Sequence, residues 1–243
     1  VDIANVMRTS GTPAKPKRVP WTHSNVVWGL YLGLGPEAPI FMGRNLILSP
    51  LFHGAGISAF YRCIYTGATA ICPNGFKPEG FFGLLDRTRP SSFFATPAIY
   101  KVIVERAAEN RDIISRTRLK VISTASASMP VGTLKDLQTV FGARISEAYA
   151  LTEAGLVGRR PRDAPKDKMG VVMPLVDVRI IDGSGKQVPA GEMGEIAIKG
   201  PNVFGGYEDD PEENARAFVD GWFRSGDLGY IGGDGYIRLC GRV

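Results

Sequence analysis

The chain has 243 residues, 44% of them hydrophobic and 22% charged, with a net charge of +5, which is enough chain to bury a core in one large domain or two small ones. Its Lys and Arg residues are dispersed without aromatic interleaving, which argues against nucleic acid as a partner and leaves a polyanionic small molecule compatible with the charge. Three cysteines (Cys63, Cys72, Cys240) without C-x-x-C spacing, beside only His23 and His53, argue against a disulfide framework or a Cys/His metal site; reduced thiols in a cytoplasmic protein are expected. No signal peptide opens the chain, and the apolar stretch around Val26 to Leu34 is too short and too glycine-broken to span a bilayer, so no transmembrane segment is expected.

The first two-thirds reads as alternating strands and helices. Leu46–Leu48 reads as a strand, Gly54–Tyr65 as a helix, Ala68–Cys72 as a strand, Lys77–Thr88 as a helix and Ser92–Thr96 as a strand. Ala98–Asn110 follows as a helix, Val121–Ser123 as a strand, Pro130–Phe141 as a helix with proline in its first turn, and Arg144–Ser146 as a strand. Such alternation predicts an α/β fold, a mostly parallel sheet flanked by helices, whose ligands sit at the carboxyl ends of the strands. Arg159–Lys168 is a polar, proline-containing loop. Beyond it Val176–Ile181 and Gly194–Lys199 alternate, and Tyr230–Leu239 reads as a hairpin about Gly232–Gly235. Pro211–Phe218 reads as a short inserted helix. Two domains are therefore expected: an α/β subdomain over 1–168, and a small antiparallel, β-barrel-like subdomain over 169–243.

Near the start, Thr9-Ser10-Gly11-Thr12-Pro13-Ala14-Lys15-Pro16-Lys17 gathers hydroxyls, a glycine and two lysines. A loop of this composition can turn N–H groups, hydroxyls and ammonium groups toward phosphate oxygens; taken alone it reads better as a polar linker.

In chain order, that loop, Ser49-Pro-Leu-Phe-His53-Gly54, Ser123-Thr-Ala-Ser-Ala-Ser-Met-Pro130, Glu147-Ala-Tyr-Ala-Leu-Thr-Glu153, Gly194-Glu195, Gly205-Gly-Tyr207, Trp222-Phe-Arg-Ser-Gly-Asp227 and Gly241-Arg242 resemble the motifs of the adenylate-forming (AMP-binding) superfamily, and of its acyl-CoA synthetases in particular. The resemblance covers the chain from about Thr9 to Val243. It implies ATP-dependent activation of a small-molecule carboxylic acid to an acyl-adenylate, then transfer to coenzyme A, with ATP, Mg²⁺ and coenzyme A as cofactors. On the matching positions it implies that Thr9, Ser10, Gly11, Thr12 and Lys17 meet the triphosphate. Ser126, Ala127 and Tyr149 would form the adenine side, Glu147 would be a further nucleotide-binding residue, and Asp227 and Arg242 would reach the ribose. Thr152 would donate to the α-phosphate and Glu153 would hold Mg²⁺; these two are the expected catalytic residues. His53 would gate the acyl site.

The sequence departs from the family pattern at Pro13, Ala14 and Arg18 in the loop, at Ala125 and Ser128, at Ala150 and at Ser225. The segment at Ser49–Gly54 lacks the aspartate that holds an amino-acid substrate in peptide synthetases, which implies a plain acid. By the family pattern both ends look cut, so a fragment of the large domain is expected, without the C-terminal domain that carries the family's catalytic lysine. Two alternatives stay open: an adenylation domain that loads a carrier protein, and a degenerate, non-catalytic nucleotide-binding module.

Overall fold

The computed structural model describes residues 2–9, 16–34, 38–125, 129–161 and 170–243. The strands are β1 (Ile3–Thr9), β2 (Lys17–Thr22), β3 (Arg44–Ile47), β4 (Thr69–Ile71), β5 (Ser92–Phe94), β6 (Val121–Ala125), β7 (Arg144–Leu151), β8 (Gly155–Arg159), β9 (Gly170–Val172), β10 (Asp177–Ile181), β11 (Gly194–Lys199), β12 (Phe218–Val219), β13 (Trp222–Ile231) and β14 (Tyr236–Arg242). The helices are α1 (His23–Leu34), α2 (Ala38–Phe41), α3 (Gly54–Thr66), α4 (Phe81–Thr88), α5 (Pro97–Glu105), α6 (Arg111–Arg116), α7 (Val131–Phe141) and α8 (Pro211–Ala217). The fold is mixed α/β: as expected, the strands of Leu34–Glu147 pair in parallel and are flanked by helices, and an antiparallel set of strands follows later in the chain. Among the described residues, no helix is long and apolar enough to cross a membrane.

The chain gathers into two compact units. One is Leu34–Glu147; the other joins Val1–Gly33 to Ala148–Val243. The boundary expected at 168/169 lies among residues outside those described.

In Leu34–Glu147, β4, β3, β5 and β6 lie in that order, and each neighbouring pair is parallel. Successive strand residues face opposite sides of a sheet, so these strands carry apolar residues on both faces. Leu46, Phe93 and Ile122 pack with Phe81, Phe82 and Leu85 of α4, Tyr100 and Ile103 of α5, and Leu134 and Leu137 of α7. Ile47, on the opposite face, packs with Ala59 and Cys63 of α3. The Tyr100 hydroxyl accepts from the Ala95 amide at 3.0 Å and donates to the Ser123 carbonyl at 2.6 Å, tying together the carboxyl ends of β5 and β6. Complete burial pushes its phenol far above the usual range.

Two helices depart from the sequence reading. The one expected from Lys77 begins at Phe81, because Pro78 and Gly80 suit the turn that closes from the Gly80 amide to the Lys77 carbonyl. The one expected over Ala98–Asn110 stops at Glu105, and a 3₁₀ turn at Ala108–Asn110 leads into α6.

In the other unit β1 and β2 form an antiparallel hairpin in which Thr9 pairs with Lys17. The loop between them, residues 10–15, lies outside the described residues. Helix α1, which the sequence reading passed over, starts at a reciprocal cap: Thr22 Oγ1 accepts the Asn25 amide at 3.0 Å, and Asn25 Oδ1 accepts the Thr22 amide at 3.1 Å. The antiparallel strands follow the order β10, β11, β13, β14, β9, β8 and the second half of β7. Ile196, Ala197 and Ile198 of β11 are fully buried. Phe204, Tyr207, Phe218 and Phe223 pack edge-on or tilted at centroid separations from 4.9 to 5.7 Å, in the offset range aromatic rings prefer.

Candidate functional site

The expected metal-holding residue lies in a turn whose backbone is pinned at three successive carbonyls. Strand β7 runs on to Leu151, and the chain reverses through Thr152–Ala154 into β8. Trp21 Nε1 donates to the Thr152 carbonyl at 2.7 Å, and the Phe204 amide to the Glu153 carbonyl at 2.8 Å. Asn202 Nδ2 donates to the Ala154 carbonyl and, at 3.0 Å, to that of Leu156. With these acceptors satisfied the turn has no cheap alternative conformation.

The Glu153 carboxylate accepts the Tyr207 hydroxyl at 3.0 Å. Burial pushes this carboxyl above the usual carboxylate range, while hydrogen bonds and the charges of Lys17 and Arg242 pull the other way. Burial, reinforced by the charge of Glu153, likewise raises the Tyr207 phenol. Tyr207 is itself clamped. The Asn214 amide accepts its N–H at 2.6 Å and donates to its carbonyl at 2.8 Å. Gly206, at φ +125°, makes room: a Cβ there would sit 3.0 Å from Asn214 Oδ1. Over the Tyr207 ring, 4.9 Å from its centroid, stands the Lys17 ammonium, which also pairs with Glu213.

A second carboxylate, Asp227 on β13, accepts the Tyr149 hydroxyl at Oδ2 (2.8 Å) and faces Arg242 Nε from Oδ1 at 3.4 Å. Its amide donates to Ser225 Oγ at 3.1 Å. Burial, then the Asp227 charge, holds the Tyr149 phenol far above its usual range, so it stays a donor. The turn before Asp227 is built by Glu195 of β11. One of its oxygens accepts the Gly226 amide at 3.0 Å, and the other takes Arg224 Nε at 2.9 Å. Gly226 sits at φ +73°, where a Cβ would lie 3.1 Å from the Arg242 guanidinium.

Thus Lys17, Tyr149, Thr152, Glu153, Asp227 and Arg242 all belong to the unit of Val1–Gly33 and Ala148–Val243, and Thr9 flanks Lys17 on the hairpin. Ser10, Gly11, Thr12, Ser126 and Ala127 lie outside the described residues. In the other unit Glu147 is buried, with the Met129 amide 3.4 Å from its carboxylate, and the exposed His53 precedes α3 with its ring 4.7 Å from that of Phe52. Sequence reading missed the supports Trp21, Glu195, Asn202, Tyr207, Glu213 and Asn214 as contributors to the site. Gly194-Glu195 and Gly205-Gly-Tyr207 stood among the matching motifs but carried no role.

Among the described residues no three His, Cys, Asp or Glu side chains gather as a metal-ligand set. A lone carboxylate at Glu153 still suits Mg²⁺, which keeps several waters and takes phosphate oxygens beside one or two carboxylates.

Residues 1–208 match the family model described as AMP-binding enzyme; the chain belongs to this family. It is 33% identical to a probable CoA ligase of Humulus lupulus over 251 residues, covering 100% of this chain and 47% of that protein. It is also 33% identical to a feruloyl-CoA synthase of Amycolatopsis over 253 residues, 100% of this chain and 50% of that one. Among solved structures, ATP-bound MatB from Rhodopseudomonas palustris superposes with a TM-score of 0.85 at 27% identity, covering 99% of this chain and 48% of that one. The o-succinylbenzoate coenzyme A synthetase of Bacillus subtilis, in complex with AMP, superposes with a TM-score of 0.81 at 25% identity, over 99% and 49%. The chain spans about half the length of the curated relatives it matches.

Proposed function

We propose that this chain is the nucleotide-binding part of an AMP-forming acid–thiol ligase, which activates a small carboxylic acid with ATP and passes the acyl group to coenzyme A. The observation that carries the reading is that the family-matching residues Lys17, Tyr149, Glu153, Asp227 and Arg242 share one compact unit, two of them as carboxylates each accepting from a buried tyrosine. The names of the relatives favour coenzyme A as acceptor over a carrier protein. An ATP- and coenzyme-A-dependent reaction, with the free thiols Cys63, Cys72 and Cys240, favours the cytoplasm.

In this reading the acid's carboxylate oxygen attacks the α-phosphorus of ATP, the bond to the β-phosphate bridging oxygen breaks, and pyrophosphate leaves. The thiol sulfur then loses its proton to solvent and adds to the acyl carbon, the bond from that carbon to the AMP phosphate oxygen breaks, and AMP departs from the thioester. Asp227 accepts the ribose hydroxyls: each of its oxygens has a protein partner and a lone pair to spare. Tyr149 orients it and offers an edge to adenine. Lys17 and the loop beside it neutralise phosphate charge, and Thr152 donates to an α-phosphate oxygen. Glu153 holds Mg²⁺, which when bound offsets the triphosphate charge that would repel the incoming carboxylate. His53, exposed before α3, is kept as the gate of the acid site.

Calorimetric titration of the chain with ATP, with and without Mg²⁺, tests this. Glu153→Gln is expected to abolish the Mg²⁺-dependent gain, and Asp227→Asn to weaken ATP and AMP alike by about tenfold or more, the worth of hydrogen bonds to a charged acceptor. Binding unchanged in both variants would refute the reading.

A further inference from the structure

Lys17 comes to the proposed site with its charge already matched. Its ammonium pairs with Glu213, and the two side chains are 24% and 20% exposed, so the pair is shielded though not buried. Glu213 has another partner: its Oε2 accepts Arg216 Nη2 at 2.9 Å and Nε at 3.2 Å. Its backbone is fixed as well, because Asp210 caps α8 by accepting the Glu213 amide at 3.1 Å. Across the ammonium stands the Tyr207 ring, and Lys17 opens β2 directly opposite Thr9.

A triphosphate brought to Lys17 meets a carboxylate on the same ammonium. Like charges in such proximity repel, so either the phosphate is weakened or the carboxylate yields. The geometry makes yielding cheap, since Arg216 already holds the second oxygen and can keep Glu213 once Lys17 turns away. We propose that Glu213 is an internal stand-in for phosphate: it occupies Lys17 in the nucleotide-free protein and hands it to the β- and γ-phosphates when ATP binds. Glu213 thereby sets the affinity for a triphosphate without affecting that for a monophosphate. This rests on the nucleotide reading of the site and goes beyond it in naming the exchange and the residue that makes it.

Titration with ATP, inorganic tripolyphosphate and AMP tests the exchange. Glu213→Gln keeps the side-chain size and removes the charge. ATP and tripolyphosphate are expected to bind it about three- to tenfold more tightly than the parent, in the range of a partly shielded ion pair. AMP should be unchanged, and the gain should shrink as salt screens it. Unchanged or weaker triphosphate binding would overturn the proposal, as would a Lys17→Met variant that binds ATP like the parent. A double-mutant cycle on melting temperature guards against loosening of α8 by the substitution. Coupling between Lys17→Met and Glu213→Gln should be present without nucleotide and vanish at saturating ATP, and coupling that ATP leaves intact sinks the idea. The two readings fail separately: insensitivity of ATP binding to both Glu153→Gln and Asp227→Asn removes the nucleotide site itself, whereas sensitivity there with no effect at Glu213 removes only the exchange.

Discussion

In the proposed site Asp227 serves only while its two oxygens point where a ribose would reach them, and two neighbours decide that. Tyr149 holds Oδ2 and Arg242 faces Oδ1. Tyr149→Phe removes one donor without changing the ring, so AMP affinity is expected to fall by about three- to tenfold, a fraction of the worth of a hydrogen bond to a carboxylate because the tyrosine acts through Asp227; titration with AMP reads it, and an unchanged affinity would show that the hydroxyl is not what aims Asp227. Gly226→Ala strikes the same place from the backbone. At φ +73° alanine costs about 1–2 kcal/mol, and its Cβ would press on the Arg242 guanidinium. Loss of melting temperature together with weaker AMP binding is expected, and loss of neither would mean that the turn can rearrange. At this scale the sequence was informative about the carboxylates and poor about their partners. Trp222–Asp227 and Glu147–Glu153 are contiguous strings, so their residue types could be read. The tyrosine-to-carboxylate pairs join positions 78 and 54 residues apart, and no local pattern announces them.

Elements hold these side chains still through their ends. Asp210 caps α8, and its replacement by Ala is expected to cost about 1 kcal/mol, visible as a lower melting temperature, and to loosen Glu213 at the same time. Asn202→Ala should cost more, about 1–3 kcal/mol, because it removes a buried side-chain donor that the carbonyls of Ala154 and Leu156 share. Denaturant midpoints rank the two, and the reverse order would show that the Thr152–Ala154 turn does not depend on Asn202. Strands β3, β5 and β6 were legible from their apolar runs, as was the β13–β14 hairpin from its Gly-rich turn. Helix α1 was not: Val26, Val27, Gly29 and Gly33 are weak helix formers, and its signal is the cap between Thr22 and Asn25. The helix expected through Asn110 breaks where Arg106–Asn110 offers the core only the small side chain of Ala107, whereas Ile113 and Ile114 of α6 pack against the core again.

For the whole molecule, protonation gives a test that needs no ligand. The phenols of Tyr100 and Tyr149 are raised above their ordinary value of 10.0, chiefly by burial. Below that pH both folded and unfolded chains keep the protons, and the stability is intact. Above it the unfolded chain releases protons that the fold retains, so stability falls as pH rises, by about 1.4 kcal/mol per pH unit for each tyrosine. Urea midpoints followed through this range should drop steeply, and a flat profile would contradict the burial of these rings.

The sequence by itself determined the order and type of most elements, because apolar periodicity and turn chemistry act over a few residues. It also determined the family, through ordered motifs. Only the tertiary structure decided what the side chains of the proposed site lean on. Lys17 meets Glu213 across 196 positions, and Trp21 meets the Thr152 carbonyl across 131. The unit that holds them joins the first 33 residues to those from Ala148 onward. Such partnerships arise from chain reversal and burial, which bring together groups whose separation along the chain carries no information about their distance in space.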